Sequence, residues 1–246
     1  KLTEQGGGEE LRRRHATHFA RLGSPEAIDA LHTHDGTRQL QRLTDNLENL
    51  KSACRWAIAN KEARLAAYLS CALYQVFGRT GPISEADSTV DRVLGLKALT
   101  GAERVMVLLD RARVSQRLGQ FDQVAAPLRE AEAILEGLDS PRLRVMLMIQ
   151  QVLGRSEPEA SIARCRQALA FCREHRLRDH EGVVLAHMLV PLMWLGDYAA
   201  CEATALEASV ILEEVGDTDT LLTVRERLGR MLNFQGKSAA AEAVFL

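Results

Sequence analysis

One short string has the composition of a phosphate-binding loop. In Gln235-Gly236-Lys237-Ser238, a lysine and a hydroxyl follow directly after a glycine. Such a loop needs a second glycine five positions earlier and a preceding strand, so that backbone N–H groups can surround the phosphates. Met231 occupies that earlier position, within a helical pattern. We therefore interpret the string as a turn between helices, and no nucleotide site is predicted.

Two groups of side chains have the types that bind transition metals. Cys165, Cys172 and His175 could gather on one helix face. However, the two cysteines fall where the preceding segment has Leu128 and Leu135, which favours a structural role as small buried side chains. The second group comprises His15, His18, His32 and His34. No cysteine or carboxylate completes it, so no metal site is predicted.

No nucleophile can be combined with a base and an orienting group, so we predict neither catalytic residues nor a cofactor. Apolar residues make up 46% and charged residues 26% of the chain, as in ordinary globular proteins. A net charge of −2 gives no reason to expect nucleic acid or a membrane surface as partner. The five cysteines, an odd number in helical segments, indicate reduced thiols in the cytoplasm. The expected class is a binding protein rather than an enzyme.

Helical patterns dominate the chain, and regularly spaced glycines separate many of them. Gly81, Gly119, Gly154, Gly196 and Gly236 are 38, 35, 42 and 40 residues apart. A period in this range without strand signals predicts helical repeats, each burying its apolar face against its neighbours. The predicted helices cover about 9–22, 25–33, 38–59, 62–79, 83–96, 101–118, 121–137, 141–153, 158–175, 181–195, 197–215, 218–235 and 238–246.

The second helix of each repeat has one face of small or apolar residues, spaced i, i+4, i+7 and i+11. Small residues on such a face allow neighbouring helices to approach closely. The predicted inward positions are Ala86, Val90 and Val93; Val124, Leu128, Ala131 and Leu135; Ser161, Cys165, Ala168 and Cys172; and Cys201, Ala205, Ala208 and Leu212.

These repeats resemble the tetratricopeptide repeat (TPR) family, whose units are antiparallel helix pairs. The resemblance depends on Leu118-Gly119-Gln120-Phe121 and Leu195-Gly196-Asp197-Tyr198, each followed by small residues. The closing proline of the family is missing, and the unit around Gly154 carries an insertion. The resemblance implies an all-α fold, a right-handed α-solenoid of about five TPR-like helix pairs over 61–246, with an N-terminal helical cap over 9–60.

The cap resembles the helical junction that precedes the repeats in bacterial signal-transduction ATPases of the NB-ARC or STAND type. Asn49-Leu50, Ala53 and Trp56-Ala57 carry the match, and Trp56 is expected to be a core residue. Many such proteins are transcriptional regulators. The resemblance implies a sensor region that keeps an ATPase inactive until a protein, peptide or small-molecule inducer binds. A free-standing TPR adaptor, docking the tail of a partner, is the alternative.

In this repeat class the first helix of each pair lines a concave groove. The helical period, projected backward from the glycines, predicts groove positions rich in arginine, whose guanidinium groups suit carboxylates. Trp194 adds an aromatic anchor. We expect either an acidic peptide or partner there, or plain pairing with neighbouring carboxylates, such as Arg113 with Asp110. The candidate residues are Arg113, Gln116, Arg117, Arg144, Gln151, His187, Trp194, Arg227 and Arg230.

The residues at both ends of the chain indicate a fragment of a longer protein. Residues 1–8, with three successive glycines, are expected to be a disordered linker. The last predicted helix, 238–246, carries apolar residues that no later repeat covers. Because solenoid ends need a polar outer face, we expect this edge to fray or to pair with a second copy as a dimer.

Overall fold

A computed structural model describes residues 5–152 and 157–244, and within these ranges the chain is all-helical, with no strand. None of the described helices is both long and apolar enough to cross a membrane. The α-helices are α1 Gln5–Ala20, α2 Pro25–Asp29, α3 Gly36–Asp45, α4 Leu47–Ala59, α5 Ala63–Thr80, α6 Ile83–Leu94, α7 Gly101–Arg117, α8 Ala125–Leu135, α9 Pro141–Val152, α10 Pro158–Glu174, α11 Arg178–Trp194, α12 Tyr198–Val215, α13 Thr218–Phe234 and α14 Ser238–Ala243.

Most predicted helices are confirmed to within a few residues, and the differences have local causes. The predicted helix 38–59 is divided at Asn46, whose side-chain amide donates to the carbonyl of Arg42 at the end of α3. In the segment 121–137, a 3-10 turn precedes α8, which begins two residues before Pro127. Proline fits the first turn of a helix because its missing N–H is not needed there.

The ends are only partly described. The helix α1 begins at Gln5, within the predicted linker 1–8, of which residues 1–4 lie outside the described ranges. Residues 245–246 of the last predicted helix and the turn at Gly154 also lie outside them.

The predicted inward faces of the second helices are confirmed. All fifteen positions are buried, with exposed fractions from 0% to 7%. The pattern was visible because a helix face repeats every 3.6 residues and therefore needs only local sequence. In the predicted cap, Leu50, Ala53 and Ala57 are buried in the same way, but Trp56 is only half-buried. The prediction that Trp56 is a core residue was wrong.

The turn glycines adopt the conformation that ends a helix without a Cβ penalty. Gly81, Gly119, Gly196 and Gly236 have φ angles of 72–74°, in the left-handed region. Two other turns place a larger residue at positive φ: Lys61 at 57° and Arg176 at 55°. The regular spacing of these four glycines in the sequence therefore reflects the left-handed backbone conformation of the four turns.

The chain divides into two compact units. Among the described residues, unit 1 comprises 5–31 and 38–143, and unit 2 comprises 32–37, 144–152 and 157–244. In unit 1, α4 to α8 pack as consecutive neighbours, and α5 also contacts α7. In unit 2, α10 to α14 pack in the same way, and α11 also contacts α13. Contacts with the next helix and the next but one are typical of helical repeats. The predicted boundary at residue 60 between cap and repeats stays a prediction.

Within unit 2, the short segment 32–37 packs against the turn between α12 and α13. Asp217 in this turn is fully buried, and its Oδ2 accepts hydrogen bonds from His32 Nδ1 at 2.8 Å and Thr220 Oγ1 at 2.7 Å. Its Oδ1 accepts from the backbone N–H of Thr220 at 3.0 Å, which caps α13. Burial raises the pKa of Asp217, but the bonds from His32 and Thr220 outweigh burial and lower it below its usual value.

The left-handed backbone conformation of these turns predicts that substitutions at Gly196 and Arg176 have opposite effects on the free energy of unfolding. A Cβ on Gly196 would meet no neighbouring atom, so the cost of Gly196→Ala comes from the backbone alone. We expect a loss of about 1–2 kcal/mol in the free energy of unfolding. Arg176→Gly, at a positive φ, should instead stabilise by up to about 1 kcal/mol. Urea denaturation measures both, and the same sign for the two variants would contradict this account.

The buried carboxylate predicts that Asp217→Ala destabilises unit 2 by about 1–3 kcal/mol, since it removes a cap and leaves donors unpaired. Asp197→Ala is the matched control, because Asp197 is an exposed cap that accepts from the N–H of Ala200 at 3.1 Å. Its loss should be smaller, about 0.5–1 kcal/mol. The stabilisation by Asp217 is present above its unfolded pKa and is lost as pH falls through the lower folded value. Equal losses for the two variants at pH 7 would argue against a special role for Asp217.

Candidate binding site

The candidate residues predicted from the sequence divide between the two units. Three of them, Arg113, Gln116 and Arg117, lie on the last two turns of α7 in unit 1. The six in unit 2 are Arg144, Gln151, His187, Trp194, Arg227 and Arg230. Each group is therefore considered within its own unit.

In unit 1, three arginines from α5 and α7 lie near Tyr74. Burial raises the pKa of Tyr74, on α5, and the positive charges of Arg113, Arg117 and Arg79 act in the opposite direction. The guanidinium carbon of Arg113 lies 5.9 Å from the centre of the Tyr74 ring, within the range of a cation–π contact. We call the surface formed by Tyr74, Arg79, Arg113 and Arg117 the Tyr74 face.

A buried carboxylate fixes the position of Arg113. Asp110, one turn earlier on α7, is 2% exposed, and its Oδ1 accepts a hydrogen bond from Arg113 Nη1 at 3.1 Å. The thiol of Cys71 contacts the same carboxylate, and this contact, like that of Arg113, lowers the pKa of Asp110. Burial raises the pKa of Asp110 to about 6, although Arg113 opposes the rise. The predicted pairing of Arg113 with Asp110 is confirmed, and it leaves the guanidinium held against Tyr74.

The other two arginines of the Tyr74 face differ in their contacts. Arg117 is exposed, and no carboxylate of the described residues pairs with it. Arg79 donates from Nη1 to the carbonyl and to the side-chain oxygen of Gln75, at 3.1 and 3.0 Å. The face therefore presents an exposed cation, Arg117, one turn after Arg113 on α7, and Arg113 is already paired with Asp110.

In unit 2, two of the predicted arginines are engaged in local contacts. Arg227 on α13 is half-buried and donates from Nη1 to the carbonyl of Ala186 on α11. Burial lowers the pKa of Arg227. Arg230 pairs with Glu226 one turn earlier, at 3.3 Å. Arg227 thus joins two helices, a structural role that the sequence analysis did not assign.

The remaining predicted residues of unit 2 differ in exposure. Trp194, the last residue of α11, is 72% exposed, and Phe234, at the matching position of α13, is 70% exposed. Arg144, Gln151 and His187 are half-buried. The carbonyl of Gln151 accepts a hydrogen bond from Arg164 at 3.2 Å. Trp194 therefore has the exposure that an aromatic anchor needs.

Sequence reasoning missed Tyr74 and Arg111. A Cβ on Gly78, one turn after Tyr74, would lie 3.4 Å from the ring, an ordinary contact distance, so this glycine gives no sequence signal for Tyr74. Arg111 is 9% exposed and pairs with Asp87 and, at 2.9 Å, with Asp91 of α6. These partners are 20 and 24 residues away, so no helical period revealed them.

Among the described residues, no group of three His, Cys, Asp or Glu side chains could hold a metal ion. All five cysteines are free and buried, which agrees with the prediction that Cys165 and Cys172 are core residues. Burial raises the pKa of the Cys165 thiol to about 11 and that of Cys172 to about 12. Both thiols are therefore neutral at physiological pH, which makes them poor nucleophiles.

A comparison with protein-family models finds no match, and neither does a comparison with curated proteins. The Tyr74 face is the strongest candidate for a binding site, because its cations come from two different helices that are packed together.

The buried carboxylate of Asp110 predicts a pH-dependent stability. Its pKa is raised from 3.8 to about 6, so the folded state binds the proton more tightly than the unfolded chain does. Stability should then fall as pH rises from about 4 to about 6 and stay level above that. Asp110→Asn should remove this slope and, at pH 7, raise the free energy of unfolding by about 1–3 kcal/mol.

Denaturation at a series of pH values measures this effect. Asp122→Asn is the control, because Asp122 is exposed in the turn before α8. Asp122→Asn should leave the dependence of stability on pH unchanged. An identical pH profile for the wild type and Asp110→Asn would show that Asp110 is ionised in the folded protein as in the unfolded one.

Proposed function

We propose that this chain is a non-enzymatic binding region that recognises an acidic segment of a partner protein at the Tyr74 face. The observation that carries the proposal is the exposed Arg117, one turn after Arg113 on α7, whose guanidinium is held near the Tyr74 ring by Asp110. Carboxylates of an acidic segment would supply a partner for Arg117, and guanidinium groups bind carboxylates with paired, charge-assisted hydrogen bonds.

The geometry of Arg113 supports specific binding rather than general attraction. Asp110 and the Tyr74 ring hold its guanidinium in one position, so less side-chain entropy is lost when a carboxylate binds. Arg117 is exposed and can adapt to the partner. A site with one fixed guanidinium group, that of Arg113, and one exposed guanidinium group, that of Arg117, suits an extended peptide that carries several acidic side chains.

We further propose that the helices form a right-handed, TPR-like α-solenoid, serving in the cytoplasm as the sensor region of a bacterial STAND-type ATPase regulator. The Leu-Gly-x-Phe/Tyr turns and the contacts between α5 and α7 and between α11 and α13 support this proposal. A free-standing adaptor that docks an acidic tail is the alternative, and a small-molecule inducer is an alternative ligand. The genomic sequence upstream of Lys1 distinguishes them: a Walker motif favours the regulator, and a start codon favours the adaptor.

The binding proposal is tested with a fluorescein-labelled peptide of twelve residues, composed of glutamate and leucine, and its glutamine counterpart. Fluorescence anisotropy should detect binding of the acidic peptide alone, weakening as salt rises. Arg117→Glu should weaken binding by about tenfold or more, because it replaces an attractive charge with a repulsive one.

Arg129→Glu is the matched control, since Arg129 is exposed on α8 of the same unit and lies outside the Tyr74 face. Both variants change the net charge equally, so only the position of the change differs. Equal weakening by both variants would indicate general charge attraction. Unchanged binding by folded Arg117→Glu would place the site elsewhere.

A further inference from the structure

A second feature of unit 1, separate from the Tyr74 face, is a cavity of about 160 Å³ among α4, α5 and α6. Its floor is apolar. Cys54 from α4 and Leu73 and Phe77 from α5 line it, and each of the three is 2% exposed. Its volume is close to that of a cavity of about 150 Å³ that accommodates benzene. The cavity as a whole therefore has room for one group the size of a six-membered ring.

The rim of the cavity carries an excess of positive charge. Lys51, Arg55 and Arg92 contribute three cations, and Glu85 is the one carboxylate in the lining. Glu85 is already paired with Lys51, with Nζ and Oε2 separated by 3.1 Å. The lining is left with two positive charges that no lining carboxylate balances.

Arg55 and Arg92 are the two uncompensated cations. Neither has a hydrogen bond or an ion pair with any of the described residues. Other arginines of unit 1 do: Arg64 pairs with Glu103 and Arg104 with Glu130. Burial raises the pKa of the Cys54 thiol, and the charges of Arg92 and Arg55 oppose that rise. Both guanidinium groups are thus close enough to the floor to act on it electrostatically.

We propose that this cavity binds a free small monocarboxylate with a compact apolar body, an aryl or branched-chain acid. The body would occupy the floor formed by Cys54, Leu73 and Phe77, and the carboxylate would lie between Arg55 of α4 and Arg92 of α6. Sites for small molecules combine an apolar lining with a few polar groups that fix orientation. Inorganic phosphate would leave the apolar floor empty, and a lipid chain is too long for the volume.

The test uses benzoate as the probe, with benzamide and acetate as comparison ligands, and isothermal titration calorimetry as the measurement. Benzoate should bind with a dissociation constant of about 1 mM or tighter, given its few heavy atoms. Benzamide has the same shape without the charge and should bind at least about tenfold more weakly. Acetate lacks the apolar body and should show no binding in the same range.

The variants Arg55→Gln and Arg92→Gln should each weaken benzoate binding by about tenfold or more, since each removes a charge-assisted contact. Both residues are exposed and unpaired, so the fold should not depend on them. Arg129→Gln, outside the cavity, is the control and should bind benzoate like the wild type. No benzoate binding by the wild type up to about 10 mM would overturn the proposal. Equal affinity for benzamide, or unchanged affinity in both variants, would overturn it as well.

Discussion

The close approach of neighbouring helices is the constraint on which the other features depend. At the contact of α11 with α12, a Cβ added to Gly182 would lie 2.8 Å from a methyl carbon of Leu212, closer than real side chains pack. The facing surface of α12 presents Cys201, Ala205 and Ala208, all fully buried. These faces are committed to helix packing. Charged side chains that are nevertheless buried, such as Arg111 and Glu181, form ion pairs. Exposed cations such as Arg117 lie outside the packed faces.

Two buried carboxylates, Asp217 and Asp110, differ in how well their burial is compensated. Asp217 is fully buried, and both of its carboxylate oxygens accept hydrogen bonds, so its burial is compensated and it holds a turn together. Asp110 is also buried, and its contacts with Arg113 and with the Cys71 thiol do not offset burial, so its pKa is raised. The contact with Asp110 holds the Arg113 guanidinium near the Tyr74 ring. A buried carboxylate with a raised pKa occurs in functional sites as well as in structural ion pairs.

The sequence predicted features that depend on local spacing and missed those that depend on distant residues. The inward positions of α8 and α12 follow one helical period, so they could be read directly. The bond between His32 and Asp217 joins residues 185 positions apart, and no pattern in either segment predicts it. Tyr74 meets Arg113 because α5 contacts α7, and that pairing of helices sets the site. In the proposed binding site, Arg113 and Arg117 are among the candidates named from the sequence, whereas Tyr74, which lies against Arg113, is not.

The helix α5 contributes to both proposed sites, on neighbouring faces. Leu73 and Phe77 line the cavity, and Tyr74 lies one residue after Leu73, about 100° further around the helix. A carboxylate held by Arg55 and Arg92 would join α4 to α6, the two helices that pack on either side of α5 in the chain. A ligand shifts an equilibrium only by its different affinity for two states. Coupling between the sites therefore requires α5 to occupy two positions relative to α7, with Tyr74 against Arg113 in one of them.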